Sequence, residues 1–503
     1  MEKKIVIIGA GISGLSAGIY ALDNGYDVDI YELHSIPGGE CTGWTRKGTF
    51  IDGCAHWIVG TNKKSNLYPL WIHTGAFDED TKIYPTEYFT KYDINGEVVT
   101  IYSDREKLRQ ELLRVAPEDE KVINKLVKDI GTYGRCVIPA QYPVSYMGPV
   151  ELLSFAFSYV PFIFLYIKCK NLSMVDLINR YKSPILRELF SRTFTSSYNV
   201  NSFYYTLKAL SENDGGVVEG GSLKIATNMA HRFTELGGKI HYKSEVEEII
   251  VENKVATGIR LKDGTVVNAD YVIATSDMHH TLYNLLKDKY TPRSYRLSFE
   301  NRKDYPLNCE LLCSYKVKSD VRNLPKMINF RVDPFNIDSQ TIITSISVRN
   351  HAFNTTLYSV GNTLFTVGLE VTDKAYDYFK SLDKETYNKR KNEIGERVRE
   401  EIKKYYNLND EDIELIDVAT PLTYERYCHA YKGSYMSFIA TKQSKWLMHK
   451  STLKGVNNLY LAGQWLMPPG GLPIALFTGK YAICRIIRKE HGYIGFRKRI
   501  RNS

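Results

Sequence analysis

The residues best suited to chemistry stand near the N-terminus: Gly9-Ala10-Gly11-Ile12-Ser13-Gly14, followed by Glu32. An apolar run, Lys4–Ile8, leads into this turn, and Leu15–Asn24 has helical rhythm up to a stop at Gly25. Gly9 permits a tight exit from a strand, Gly11 lets backbone approach a diphosphate, and Gly14 allows close helix–strand packing. The helix start then offers unpaired N–H groups, with Ile12 and Ser13 in its first turn, and a positive dipole end to phosphate. Val28–Glu32 reads as the next strand, and a carboxylate at its end accepts hydrogen bonds from ribose hydroxyls. Glu32 also repels a 2′-phosphate. The unit is a dinucleotide cradle opening a doubly wound parallel sheet.

A second set of candidates concerns proton transfer and substrate. In Cys54-Ala55-His56-Trp57, His56 is the candidate catalytic acid or base, because imidazole titrates near neutrality. A packed core histidine is the competing reading. Tyr424, Arg426, Tyr427, His429, Tyr431, Lys432 and Tyr435 form a dense polar-aromatic stretch. Trp57 and Tyr431 are taken as substrate-cavity residues; a strand pair with solvent-facing tyrosines is the alternative. His279-His280 follows Asp277 and reads as a loop or cap. With no Ser-His-Asp spacing, no HExxH and no zinc pattern, no metal is expected.

The C-terminal part carries Leu459-Tyr-Leu-Ala-Gly463-Gln-Trp, then Pro468-Pro-Gly470-Gly471-Leu472-Pro473 and Gly479. Taken with Gly38-Gly39, Gly48-Thr-Phe-Ile-Asp52-Gly53 and Gly220-Gly221-Ser222, this pattern resembles the flavin-containing amine oxidase and phytoene desaturase superfamily. Within it, the sequence looks closest to the carotenoid desaturase and retinol saturase branch. The resemblance covers about 1–61, 215–280 and 455–488. It implies FAD, with Gly38 and Gly39 near the ribityl side and Val246 holding the adenine end through its backbone. It also implies Gly463 returning to the diphosphate, and Gly471, Leu472 and Ala475 facing the pyrimidine edge of the flavin. Many members have Arg or Lys after the double glycine, where this chain has Glu40. Arg46 or Lys47 is the candidate replacement, and Glu40 is expected to face solvent. No second GxGxxG is found, so any NAD(P)H must bind transiently in the substrate cavity.

The elements that position these residues follow from the rest of the 503-residue chain. The expected fold is α/β: a split Rossmann-like FAD-binding domain (1–61, 215–289 and 415–490) with an interleaved α+β substrate domain (62–214 and 290–414). Ser103–Thr132 has helical rhythm. Lys239–Tyr242, Val246–Val251, Val255–Leu261 and Val266–Ala269 alternate as strands, with Asp263-Gly264 as a hairpin turn. Leu152–Ile167 is an uncharged run of 16 residues interrupted by Pro161. That is short of the ~20 needed to span a bilayer. A buried core helix and a surface-inserting helix both remain open. Lys168 and Lys170 behind it favour the interface.

Net charge is +9, with 43% hydrophobic and 24% charged residues, as in ordinary globular proteins. The basic excess gathers after Arg485, and the segment 491–503 reads as a basic tail suited to anionic lipid. No nucleic-acid motif accompanies it. The eight cysteines form no disulfide framework. A cytoplasmic chain with reduced thiols is expected, peripheral on the inner face of a membrane. The leading expectation is a flavoenzyme that saturates, desaturates or isomerises carbon–carbon double bonds in a long apolar molecule, whether carotenoid, retinoid or fatty acyl lipid. A flavin amine oxidase and a non-catalytic flavin-bearing lipid-binding protein are the alternatives. Oligomeric state is not legible.

Overall fold

A computed structural model describes residues 2–54, 57–134, 136–445 and 448–500. A five-stranded parallel sheet runs in the order Lys239–His241, Asp27–Tyr31, Lys4–Ile8, Tyr271–Ala274 and Leu459–Leu461. Its central strands are apolar at almost every position because helices cover both faces. One covering helix is Ile12–Leu22, and the C-terminal helix Leu472–Ile500 packs on it. Two glycines make that approach possible. A Cβ on Gly14 would sit 2.0 Å from the Gly9 carbonyl oxygen, and one on Gly479 would sit 2.4 Å from that of Ser13. Both ends of the chain are therefore locked around one turn.

An eight-stranded, mostly antiparallel sheet forms the second lobe. Its main path is Ile413–Ala419, Leu307–Val317, Thr363–Val371, Ile342–Asn350, Met327–Asn336, Tyr88–Ile94 and Glu97–Tyr102. Ser434–Phe438 also pairs with Leu307–Val317. Alternation divides each strand. Leu311, Cys313, Ile346, Val348 and Val367 pack in a core with Ile394, Val398 and Ile402 of the helix Lys384–Tyr406. Glu310, Asn329, Ser345, Ser347 and Arg349 face a cavity instead. The strands 413–419 and 434–438, placed by sequence with the cofactor lobe, thus belong to the large sheet. Their pairing partners on Leu307–Val317 lie about a hundred residues or more away, which local pattern does not reveal.

Two helical segments differ from expectation. Ser103–Thr132 is two helices, Arg105–Val115 and Glu120–Tyr133, because Pro117 holds Ala116 out of the helical region. The apolar run is a continuous helix, Pro149–Cys169, which passes through Pro161. Only Tyr159, Leu165 and Cys169 on it are buried, so the core-helix reading is overturned. Val150, Leu153, Phe157, Val160, Phe164 and Ile167 are exposed at three- and four-residue spacing, an outward apolar stripe. By length and composition this helix is able to cross a membrane.

The tail is also folded. The last helix continues beyond a kink at Gly492, buries Phe496, and pairs Arg497 with Glu151 at the start of the apolar helix. Segment 491–500 is thus a buttress of that helix rather than a free tail.

Candidate functional site

The two lobes enclose one continuous cavity of ≈1710 Å³. Pockets for drug-sized ligands are roughly 300–1,000 Å³, so this volume has room for a large cofactor and a second molecule beside it. At one end lie Gly9, Gly11, Ile12, Ser13, Glu32, Gly38 and Gly39. Val246, Gly463, Gly471, Leu472 and Ala475 line the same cavity. Gly14 stands behind the wall, against Gly9.

The geometry of this end is that of a phosphate cradle. Gly9 has φ of +101°, and Gly38 has +118°, values that favour glycine. A Cβ on Gly11 would meet only the Gly38 carbonyl oxygen, at 3.8 Å, so the space before it is open. Gly11 caps the helix Ile12–Leu22, whose first N–H groups point outward. Glu32 accepts from the Ala10 N–H at 2.7 Å and the His34 N–H at 2.8 Å. Burial pushes its carboxyl up, and these two bonds oppose the shift. Each oxygen keeps a second lone pair for a ribose hydroxyl. The residues present therefore fit a dinucleotide.

The double-glycine loop is tied to the opposite end of the chain. Gln464 donates to Glu40 at 2.8 Å, and its own oxygen accepts from the Gly471 N–H at 3.1 Å. Glu40 faces the cavity, not solvent, and burial first and then Asp277 push its carboxyl well up. A protonated Glu40 places no negative charge there. Neither basic replacement serves the cradle: Arg46 pairs with Asp417 and Lys47 with Glu414 on the outside.

Of the substrate candidates, Trp57 lines the cavity, and His56 lies outside the described residues. Tyr431 does not reach the cavity. Its ring stacks on His279 at 3.9 Å and its N–H donates to Asp277, and the chain turns at the next residue, Lys432, with φ of +55°. Tyr424, Tyr427 and Tyr435 from the same stretch line the wall. His280 stacks on His429 at 4.1 Å, and its N–H is capped by Asp277, whose carboxyl burial raises to about 6.

Beyond the cradle the cavity has two unlike walls. The sheet wall presents Glu310, Arg349, Glu370, Ser345, Ser347 and Asn329. Tyr424 donates to Glu310 at 2.7 Å, while burial pushes that carboxyl up. The helix wall presents Phe155, Tyr159, Phe162 and Tyr166, the inner face of the outward-striped helix. Sequence reasoning missed the sheet wall. Its signal was the period-two series Ser345, Ser347, Arg349.

A Rossmann-type lobe closed by both chain ends, with an interleaved sheet lobe over its cradle, defines a two-lobed flavoprotein oxidoreductase. The signature of flavin-containing amine oxidoreductases matches residues 12–487, and the chain belongs to that family. A flavin is the family's cofactor. A 4,4′-diapophytoene desaturase of Methylomonas sp is 25% identical over 97% of this chain and 96% of its own. The chloroplastic prolycopene isomerase of Daucus carota is 23% identical over 96% of this chain and 80% of its own. A solved putrescine oxidase variant shares the fold with a TM-score of 0.62 at 13% identity, over 97% of this chain and 99% of that one. An oxidoreductase from Methanosarcina mazei has a TM-score of 0.57 at 17% identity, over 95% of this chain and 99% of that one.

Proposed function

We propose that this protein is an FAD-dependent oxidoreductase acting on carbon–carbon double bonds of a long, largely apolar substrate. The observation that carries the reading is the single cavity running from the dinucleotide cradle to the aromatic inner face of an exposed apolar helix. The names of the relatives support it: one is a desaturase and one an isomerase of polyenes.

Gly9, Gly11, Ile12 and Ser13 bind the diphosphate through backbone N–H groups, and Gly463 closes on it from the far end of the chain. Gly14 sets the helix approach, Glu32 holds the ribose, Val246 borders the adenine, and Gly38 and Gly39 border the ribityl chain. Gly471, Leu472 and Ala475 face the ring. When bound, the flavin takes or returns the hydride equivalent. The protein's part is to orient the substrate, exclude water and place a proton. The Tyr424–Glu310 pair holds such a proton in the wall. A nicotinamide donor, if one is used, reaches the ring through the same cavity.

The apolar stripe rests on a membrane surface, and the substrate enters beneath the helix Pro149–Cys169. Lys168 and Lys170 flank its end. Two assays test the reading on holoprotein under anaerobic conditions. Chemically reduced flavin should be reoxidised on adding a conjugated polyene or polyunsaturated acyl lipid. Oxidised flavin should stay yellow on adding putrescine; bleaching by the amine alone would instead mark an amine oxidase.

A further inference from the structure

The sheet wall contains a cation with no hydrogen-bonded partner among the described residues. Arg349 stands near the end of the strand Ile342–Asn350, cross-strand from Thr366 on one side and Met327 on the other. It lines the cavity on the same strand face as Ser345 and Ser347. Among the described residues its guanidinium makes no hydrogen bond and no ion pair, and Nε is sealed from solvent without an acceptor. Burial pushes it down only to about 10, so it is cationic at neutral pH.

A sealed, unsatisfied N–H of this kind is costly unless something accepts from it. The nearest acids are engaged elsewhere. Asp52 receives the Ser222 N–H at 3.3 Å, and Glu310 receives the Tyr424 hydroxyl at 2.7 Å. Burial pushes both carboxyls up, and the Arg349 charge beside them opposes that shift without forming a hydrogen bond or ion pair with either. The diphosphate cradle is built from backbone N–H groups of another element, around Gly11 and Gly463, and does not call on Arg349.

We propose that Arg349 binds a carboxylate on the substrate, which is therefore an unsaturated acid rather than a pure hydrocarbon. The inference rests on the double-bond reading above and narrows its substrate class. The planar fork of a guanidinium matches a carboxylate with two parallel N–H···O bonds. Phe155, Tyr159, Phe162 and Tyr166 on the facing wall receive the apolar chain. A hydrocarbon leaves the guanidinium unsatisfied, and a protonated amine is repelled by it.

The test is titration of flavin-loaded protein with linoleate and with linoleyl alcohol below their aggregation limits, read by perturbation of the flavin spectrum. Native protein should bind the acid at least tenfold more tightly than the alcohol. Arg349→Gln should remove that preference and leave the alcohol's affinity within about twofold, while Arg349→Lys should keep part of it. Equal affinities in the native protein overturn the proposal without needing any variant to fold. An Arg349→Gln protein that keeps its flavin and still prefers the acid tenfold also overturns it, since the carboxylate would then be held elsewhere. The parent reading is judged separately by turnover. Arg349-dependent binding of linoleate with no reaction at any double bond leaves this inference standing and removes the parent reading. Arg349-independent turnover of a hydrocarbon polyene does the reverse.

Discussion

The diphosphate cradle and the sheet wall border one cavity but are built by opposite means. The cradle is backbone: three glycines, a helix N-terminus, and one carboxylate already held by two N–H groups. Its tolerances are steric, because the spaces behind Gly14 and Gly479 are filled by carbonyl oxygens. The wall is side chain: Arg349, Glu310 and Glu370 brought together by strand pairing across about sixty residues. Its tolerances are electrostatic, because burial shifts the Glu310 carboxyl up and the Arg349 guanidinium down. A shape-built site breaks on adding a methyl group. A charge-built site breaks on changing a proton.

The largest effect should come from breaking the cradle. Gly14→Ala drives a Cβ to 2.0 Å from the Gly9 oxygen, a clash with backbone that no rotamer relieves. We expect loss of about 4 kcal/mol or more of stability and protein without bound flavin, read from the thermal midpoint and the visible-to-ultraviolet absorbance ratio. Yellow protein of native midpoint would show that the turn tolerates a side chain.

A middle-sized effect should come from the buried acid between the two regions. Asp277 titrates at about 6 in the fold, above its ordinary value of 3.8. The folded state therefore holds this proton more tightly than the unfolded chain. That stabilisation is complete below about pH 4 and is lost as pH rises through 6. Asp277→Asn keeps one acceptor oxygen, enough for one of the His280 and Tyr431 N–H groups that the two carboxylate oxygens now receive, and does not titrate. Its stability relative to native should rise by roughly 1.4 kcal/mol per pH unit between pH 4 and 6. A difference that stays flat over this range refutes the burial argument.

The smallest effect on stability belongs to the outward stripe. Phe157→Asp with Phe164→Asp changes only exposed positions, 73% and 72% accessible. The folding midpoint should move by no more than about 0.5 kcal/mol equivalent per substitution, while co-sedimentation with anionic vesicles drops severalfold. Unchanged sedimentation would remove the membrane role and leave the cavity's inner aromatic wall as it is.

Legibility follows the same division. The turn Gly9–Gly14, Glu32 and the closing block Gly463–Gly479 were readable as local structure because each is carried by a few consecutive residues with fixed spacing. Glu40 was misread as solvent-facing, since its burial depends on Gln464, far away in the chain. Tyr431 was placed in the cavity wall with the polar-aromatic stretch around it, but its ring stacks on His279 instead, a partner about 150 residues away in the chain. Arg349 gave no warning beyond a period-two pattern.

By itself, then, the sequence determined that a glycine turn joins a strand to a helix, that its terminal blocks resemble one flavoprotein family, and that one long helical segment, 152–167, carries no charge. These are local properties of spacing and composition. Only the tertiary structure decided that this helix has an outer stripe and an inner cavity face, that the C-terminal segment braces it, and that the Arg349 guanidinium lines the same cavity as its aromatic rings. Those depend on strand register and on which lobe covers which. Pairings between distant segments set both, and no short stretch of residues encodes them.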